Sequence, residues 1–291
     1  MFSILILSLN EETNLDACLD SVSWCDDVVL LDSFSTDRTT EIARRRGVRI
    51  FYRVFDDFGS QRNYALREIG FKHRWVFHLD ADERFNDALR GECERVIALD
   101  CDSAYAVPNR IIFLGHWIKH STQYPYPQVR LTKVGEVVFA KSGHGQREDR
   151  AIRGVGTIDT PYDHLNFSKG LSQWVRRHDQ YSTEEAFLAF SLRAGTFEWR
   201  SLFSRDSLVG KRALKQLQAR LPARWICKFA FLYLIRRGFL DGYPGFVYCA
   251  LQAFYDLLIC LKVREIESAR QMRQGASHKR MSSDWNAREI A

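Results

Sequence analysis

At 291 residues the chain can bury a full-sized core, and one large domain with an appendage is the natural expectation; no repeat or low-complexity stretch is visible. Seven cysteines, an odd number without a C-x-x-C pair, argue against a zinc site or a disulfide framework and read as small buried hydrophobes in a reducing cytoplasm. The net charge of +6 is concentrated, because between Arg205 and Arg237 nine basic residues face the single acid Asp206, and such a segment seeks an anionic surface.

The chain opens with an apolar run over residues 2–8 that is too short, and lacks the basic start, for a signal peptide, which predicts that the protein is not exported. From there strands and helices alternate. Strands are predicted over 2–8, 28–32, 48–52 and 75–80, and helices over 14–22, 37–46 and 60–69, the second ending at Gly47. Alternation of this kind predicts an α/β domain with a mostly parallel sheet covered by helices on both faces. Ligands of such sheets bind beyond the carboxyl ends of the strands, and those ends carry Asn10, Asp32 and Asp80-Ala81-Asp82. Residues 100–166 read as short β pieces broken by Gly and Pro. A helix follows, with Ser168 as its N-cap and Gly195 at its end. Two apolar stretches, 226–235 and 246–261, read as amphipathic helices joined through Arg236-Arg237-Gly238 and a turn at 242–245. Each falls short of the roughly 20 residues that span a bilayer. Beyond Arg264 the chain is polar and frays.

Residues two apart in extended chain face the same way, so Asp80 and Asp82 can address one ligand while Ala81 turns aside. Two hard carboxylates so placed suit Mg²⁺ or Mn²⁺ bound together with a diphosphate, although a solvated helix-capping turn accounts equally for this tetrapeptide. Asp32-Ser33-Phe34-Ser35-Thr36-Asp37 is a strand end followed by N-cap residue types. No glycine fingerprint follows the first strand, which argues against a dinucleotide fold or a P-loop. His78 reads as a structural histidine inside a strand, and the His116/His120 pair as no metal site. Trp117, Tyr124 and Tyr126 are candidates for a sugar platform, with core packing as the equal alternative. Arg130 pairs either with a phosphate or with a buried acid.

The ordered set Ser8-Leu9-Asn10-Glu11-Glu12, the stretch 29–39, Gln61-Arg62-Asn63-Tyr64-Ala65-Leu66 and Leu79-Asp80-Ala81-Asp82-Glu83 resembles glycosyltransferase family 2, with the Rossmann-like GT-A fold. Leu114-Gly115-His116-Trp117-Ile118-Lys119-His120 and Tyr126-Pro127-Gln128-Val129-Arg130-Leu131 resemble the branch that includes the lipopolysaccharide core β-1,4-glucosyltransferases. The likeness covers about residues 1–190. It implies a GT-A catalytic domain over 1–166 (donor half about 1–100, acceptor half about 101–166), a C-terminal helical region over 167–264 and a polar tail over 265–291.

The resemblance also implies roles. Leu9, Asn10 and Glu11 with the Asp32 carboxylate would hold the uridine, Arg62 would lie near the donor, and Asp80-Ala81-Asp82 would meet ribose and metal, with Asp82 as the principal Mg²⁺ or Mn²⁺ ligand. Trp117, Tyr126 and Arg130 are candidates for the acceptor side. In this branch the base is the acid of a His-Glu pair. Here the matching stretch reads Gly143-His144-Gly145-Gln146-Arg147-Glu148-Asp149, so the base lies among Glu148, Asp149 and His144. The implied activity is an inverting, metal-dependent, non-processive transfer from a UDP-sugar to a lipid-linked, lipopolysaccharide or polysaccharide acceptor, on the cytoplasmic face of a bacterial membrane. A polyprenyl-phosphate glycosyltransferase and a non-catalytic GT-A binding protein are the alternatives. Expected partners are the nucleotide-sugar, a glycolipid or oligosaccharide, and an anionic membrane surface or a second copy of the chain; nucleic acid is not among them.

Overall fold

The N-terminal apolar run folds as β1 (Ser3–Ser8), buried along its length except at the half-buried Leu7. Burial on both faces is what a central parallel strand requires. A computed structural model of the protein describes residues 1–142, 145–203, 207–221 and 223–289. After β1 come α1 (Leu15–Ser21), β2 (Val28–Asp32), α2 (Thr39–Arg45), β3 (Arg49–Tyr52), α3 (Phe58–Glu68) and β4 (Trp75–Asp80), within a few residues of the expected bounds. Asp57 caps α3 by accepting from the Ser60 amide at 2.9 Å.

Next follow β5 (Glu83–Arg84), α4 (Asp87–Leu99), β6 (Ala104–Val107), β7 (Asn109–Phe113), β8 (His116–Trp117), β9 (Gln128–Lys133), β10 (Val137–Ser142), β11 (Gly145–Ala151), β12 (Val155–Thr157) and β13 (Tyr162–His164). The main sheet has the order β12-β6-β9-β4-β1-β2-β3. Strands β4, β1, β2 and β3 are parallel neighbours, and β9 is antiparallel to β4 and β6. From β1 the chain winds out through β2 to β3 and then returns to the other side of β1 as β4. That reversal opens the crevice where such sheets hold ligands. Register aligns the rim: Ser8 lies opposite Asp32, and Leu7 opposite Asp80. Phe77, Leu79, Ile4 and Ile6 are almost wholly enclosed beneath it. Each such side chain contributes roughly 1.5–3 kcal/mol of burial, which makes the crevice floor rigid.

A second sheet has the order β5-β13-β7-β8, and β10 and β11 form a separate hairpin. Leu114 (φ 49°) and Gly115 (φ 76°) form the two-residue turn between β7 and β8, where positive φ at both positions matches the strand twist.

The chain divides into two compact units, Met1–Trp174 with Arg236–Tyr248, and Val175–Ile235 with Cys249–Ala291. The first therefore regains a segment that lies within the region assigned to the C-terminal helices by sequence. In that segment the Asp241 carboxylate accepts from the His120 and Ser121 amides at 2.9 and 2.7 Å. Gly245 packs so closely that a Cβ would meet Asp241 Cβ at 2.5 Å.

The second unit is helical: the greater part of α5 (Leu171–Ala194), then α6 (Ser207–Arg220), α7 (Arg224–Ala230) and most of α8 (Gly242–Glu289). Ala186, Ala189, Ala219, Ile259 and Val263 form its core. Two readings of the tail are corrected. The expected turn at 242–245 is the first turn of α8, where Pro244 is tolerated because first-turn amides have no helical acceptor. The helix also continues past Arg264 to Glu289, so Gly238–Met272 is, by length and composition alone, long and apolar enough to cross a membrane. Of the seven cysteines, Cys18, Cys93, Cys249 and Cys260 are buried as expected, whereas Cys101 and Cys227 are exposed.

Candidate active site

The first wall of the crevice is the bracket between β1 and β2. Asp32 is fully buried, and its carboxylate accepts from Ser8 Oγ at 2.7 Å, from Ser35 N at 2.7 Å and from Ser35 Oγ at 2.6 Å. Asn10 adopts φ 56°, a region asparagine tolerates. Its amide donates to Ser35 Oγ at 2.8 Å, and its side-chain oxygen accepts from Thr36 N at 2.8 Å. Polar residues after the two strands thus fasten the two loops to each other. Leu9 is half exposed after β1, and Phe34, after β2, stacks on Tyr52 of β3 at 5.7 Å.

The second wall is built on β4. Arg62, from α3, donates to Asp80 Oδ1 at 3.1 Å, and Arg130, from β9, donates to Asp80 Oδ2 at 3.1 Å. Arg130 also bonds Glu83 Oε1 at 2.6 Å and the Tyr162 hydroxyl at 3.0 Å, while Glu83 Oε2 accepts from the Asp80 amide at 2.8 Å. Burial pushes the Asp80 carboxyl up, but Arg130 and Arg62 outweigh it and hold the group below its ordinary range. Burial pushes Glu83 up to about 7; Arg130 opposes this and Asp80 reinforces it. Burial also drives His78 well below the usual histidine range, and its Nε2 meets Thr132 Oγ1 at 2.8 Å, so it is the structural histidine expected. Of the two expectations for Arg130, the structure gives the buttress of buried acids; at 3% exposure it offers no acceptor surface. Arg62 is equally enclosed, with its guanidinium on Asp80 and over the Phe139 ring. Ala81 is buried, turned aside as its spacing implies.

Asp82 differs from Asp80. Its Oδ2 lies 3.5 Å from His164 Nε2, and its carbonyl accepts from Leu165 N at 2.8 Å. His164 sits opposite Glu83 because β13 pairs with β5. Burial pulls the His164 imidazole down, but the Asp82 carboxylate outweighs it and raises it above the ordinary range. Adjacent donors around a cation with bonds of ~2.1 Å stand about 3 Å apart, so this oxygen and this nitrogen fit two positions on one Mg²⁺ or Mn²⁺. Among the described residues no three His, Cys, Asp or Glu side chains gather as a self-sufficient metal cluster. A metal here would therefore draw its other ligands from a donor and water, and Asp80, held by two arginines, is less available to it than Asp82. Close by, Lys169 Nζ bonds the Asn10 carbonyl at 2.6 Å and Glu11 Oε1 at 2.5 Å. His164 and Lys169 escaped the reading of the sequence, and Glu83 stood in the Asp80-Ala81-Asp82-Glu83 motif without a role of its own.

The candidate bases lie on the β10–β11 hairpin. Asn63 Nδ2 donates to the Phe139 carbonyl and Asn63 Oδ1 accepts from the Phe139 amide, both at 2.8 Å, which pins the hairpin to α3 next to Arg62. Glu148 pairs opposite Phe139, and the register shift between Val138 and Phe139 leaves Asp149 as the extra residue of a bulge. Both acids are exposed, as a proton acceptor for an incoming hydroxyl must be. His144 lies outside the described residues. Trp117 and Tyr126 are exposed by 36% and 57%, which rules out core packing. Arg110 and Lys119 approach the Trp117 ring at 5.7 and 5.3 Å.

A mostly parallel sheet with acids at its strand ends, two of them neutralised by buried arginines, is suited to binding an anionic donor, and the comparisons define the class as glycosyltransferase. The profile described as Glycosyl transferase family 2 matches residues 3–149, and the chain belongs to that family; its mostly parallel sheet with flanking helices is the α/β architecture expected from the sequence. An uncharacterized glycosyltransferase of Rickettsia bellii (strain RML369-C) is 25% identical over 270 residues, covering 91% of this chain and 86% of that protein. The lipopolysaccharide core biosynthesis glycosyltransferase LpsC of Rhizobium meliloti (strain 1021) is 34% identical over 93 residues, covering 30% of this chain and 34% of LpsC. Among solved structures, S. aureus TarS 1-349 in complex with UDP-GlcNAc is similar with a TM-score of 0.45 and 15% identity, covering 94% of this chain and 92% of that one.

Proposed function

We propose that this glycosyltransferase is inverting and metal-dependent, takes its sugar from a UDP-sugar, and delivers it to a lipid-linked or lipopolysaccharide-type saccharide. The observation that carries the reading is the Asp82–His164 pair, an oxygen and a nitrogen donor 3.5 Å apart at the point where the strand order reverses. Asp82 and His164 would hold Mg²⁺ or Mn²⁺, which when bound neutralises charge on a departing diphosphate. The bracket of Leu9, Asn10, Glu11 and Asp32 would seat the nucleoside, with Asp32 acting through Ser8 and Ser35. Asp80, fixed by Arg62 and Arg130, would present its remaining acceptor capacity to the ribose. Glu148 would take the proton from the acceptor hydroxyl as its oxygen bonds the anomeric carbon and the diphosphate departs from the opposite face, inverting that centre. The part of the chain shared with LpsC supports a core-saccharide acceptor. Product analysis with a lipid phosphate and with a core oligosaccharide separates this from transfer to polyprenyl phosphate.

Glu148→Gln keeps size and hydrogen bonding but removes basicity, and turnover is expected to fall about 10²-fold with UDP binding intact. Steady-state transfer assays decide it. Full activity in this variant with loss in Asp149→Asn would move the base one residue along, to the bulge.

The C-terminal region would rest on an anionic bilayer from the cytoplasmic side. Supporting this, Leu234, Ile235, Leu240 and Tyr243 are each at least 56% exposed, in and beside the basic segment. Of the basic residues there, Arg224 is spent on Asp256 at 2.9 Å and Arg220 on the Gly195 carbonyl at 2.5 Å, so neither is a probe of lipid binding. Flotation with anionic liposomes is expected to succeed, to weaken as salt rises, and to be lost in Arg212→Gln/Lys215→Gln. Failure to float, with a stable dimer in solution, would assign the exposed apolar residues to a second copy of the chain.

A further inference from the structure

We infer that Lys169 is a diphosphate-binding latch: its ammonium group trades the Glu11 carboxylate for the phosphate oxygens of the donor, and Glu11 is the internal competitor that it leaves. This rests on the nucleoside-diphosphate donor proposed above, and assigns a residue that no part of that reading uses.

The first ground is placement. The loop 165–170 links His164 to α5 and is held at both ends. Leu165 N donates to the Asp82 carbonyl at 2.8 Å, Ser168 N to the Leu165 carbonyl at 2.9 Å, and Gly170 N to the Phe167 carbonyl at 2.9 Å. Phe167 is stacked on Trp174 at 5.3 Å and packs against Phe113 at 4.3 Å. The Lys169 backbone is thereby fixed beside the crevice, whereas its four-carbon stem keeps its freedom. The ammonium reaches across to the β1 loop, where it bonds Asn10 and Glu11, and Glu11 is near enough to Asp82 to feel its charge.

The second ground is charge. A diphosphate ester neutralised by one divalent cation still carries negative charge, and the rim it enters already holds Glu11, Asp80 and Asp82. Arg62 and Arg130 cannot turn toward it. Both are nearly fully buried, and withdrawing either would strip an enclosed carboxylate of its partner. Lys169 is not so bound: its side chain is 19% exposed and its partner Glu11 18% exposed, so water can take over what the exchange leaves. Glu11 also keeps a second bond, from Asn14 Nδ2 to Oε2 at 2.8 Å, which holds the carboxylate in place after the lysine has gone. An ammonium on a flexible stem suits such an exchange, since it acts as a point charge and needs no fixed fork geometry.

A merely structural role, in which Lys169 pins the loop to β1, makes a different forecast from a latch. Calorimetric titrations with UDP and with uridine, both in the presence of Mn²⁺, separate the two for the full-length chain. Lys169→Met is expected to lose about tenfold or more in UDP affinity while uridine affinity stays unchanged, as for one lost charge-assisted bond. Lys169→Arg should recover most of the loss. Glu11→Gln, which removes the competitor, should tighten UDP severalfold relative to uridine. Equal loss of UDP and uridine in Lys169→Met would assign the lysine to loop anchoring, and unchanged affinity for both would remove it from the site. Wild-type protein that binds uridine but gains nothing from the phosphates also overturns the latch, while wild-type protein that binds neither ligand overturns the donor reading itself and the latch with it.

Discussion

Asp82→Ala is expected to reduce transfer about 10³-fold and to abolish the part of UDP affinity that depends on Mn²⁺ or Mg²⁺, while the melting temperature stays near that of the wild type. The reason lies in how differently the two aspartates are held. Asp80 is locked between Arg62 and Arg130, so its removal would deprive Arg62 of its carboxylate and Arg130 of one of its two, and confuse a folding defect with a chemical one. The Asp82 Oδ2 lies 3.5 Å from His164 Nε2 at a partly exposed position, and the backbone bond of Asp82 to Leu165 survives truncation of the side chain. His164→Ala should follow the same pattern more weakly, because one of two protein ligands then remains. Steady-state transfer rates together with UDP titrations in Mn²⁺ and in EDTA check both variants. Near-normal turnover in Asp82→Ala would sink the metal assignment.

Arg130→Met should cost about 3–5 kcal/mol of stability, the largest structural effect expected of any single change here. Arg130 serves Asp80, Glu83 and Tyr162 at once from a fully enclosed position between β9 and β4. Methionine fills much of its volume but leaves Glu83, itself wholly buried, without the guanidinium that it bonds at 2.6 Å. If that is the source of the loss, Arg130→Met/Glu83→Gln should regain a good part of it, because a neutral amide needs no cation. Urea unfolding of the wild type, the single variant and the double variant makes the comparison. A single variant within 1 kcal/mol of wild type would show that the arginine is a minor part of the core.

The donor half was largely legible because its signals are local. Alternating strand and helix runs placed β1 to β4 and α1 to α3 within a few residues, and the polar residues after each strand marked the rim. The short motifs proved to have one structural task per residue: Arg62 reaches Asp80, and the neighbouring Asn63 reaches Phe139. What was not legible depends on pairing between distant segments. His164 joins Asp82 only because β13 inserts between β5 and β7, a register that nothing in Tyr162-Asp163-His164 encodes locally. Lys169 meets Glu11 across 158 residues of sequence for the same reason. Arg130 looked equally suited to a phosphate or to an acid, and burial decided between them. In the tail, the glycines and Pro244 read as a turn because helix-breaking residues are also helix-starting residues when they fall in the first turn.

Release of UDP from a panel of UDP-sugars, with Mn²⁺ and with EDTA, tests the central claim most directly. The expected result is hydrolysis of one or a few UDP-sugars, dependent on the metal and lost in Asp82→Ala. Equal release with EDTA, or release that survives in Asp82→Ala, would contradict a metal-assisted UDP-sugar transferase built around Asp82 and His164.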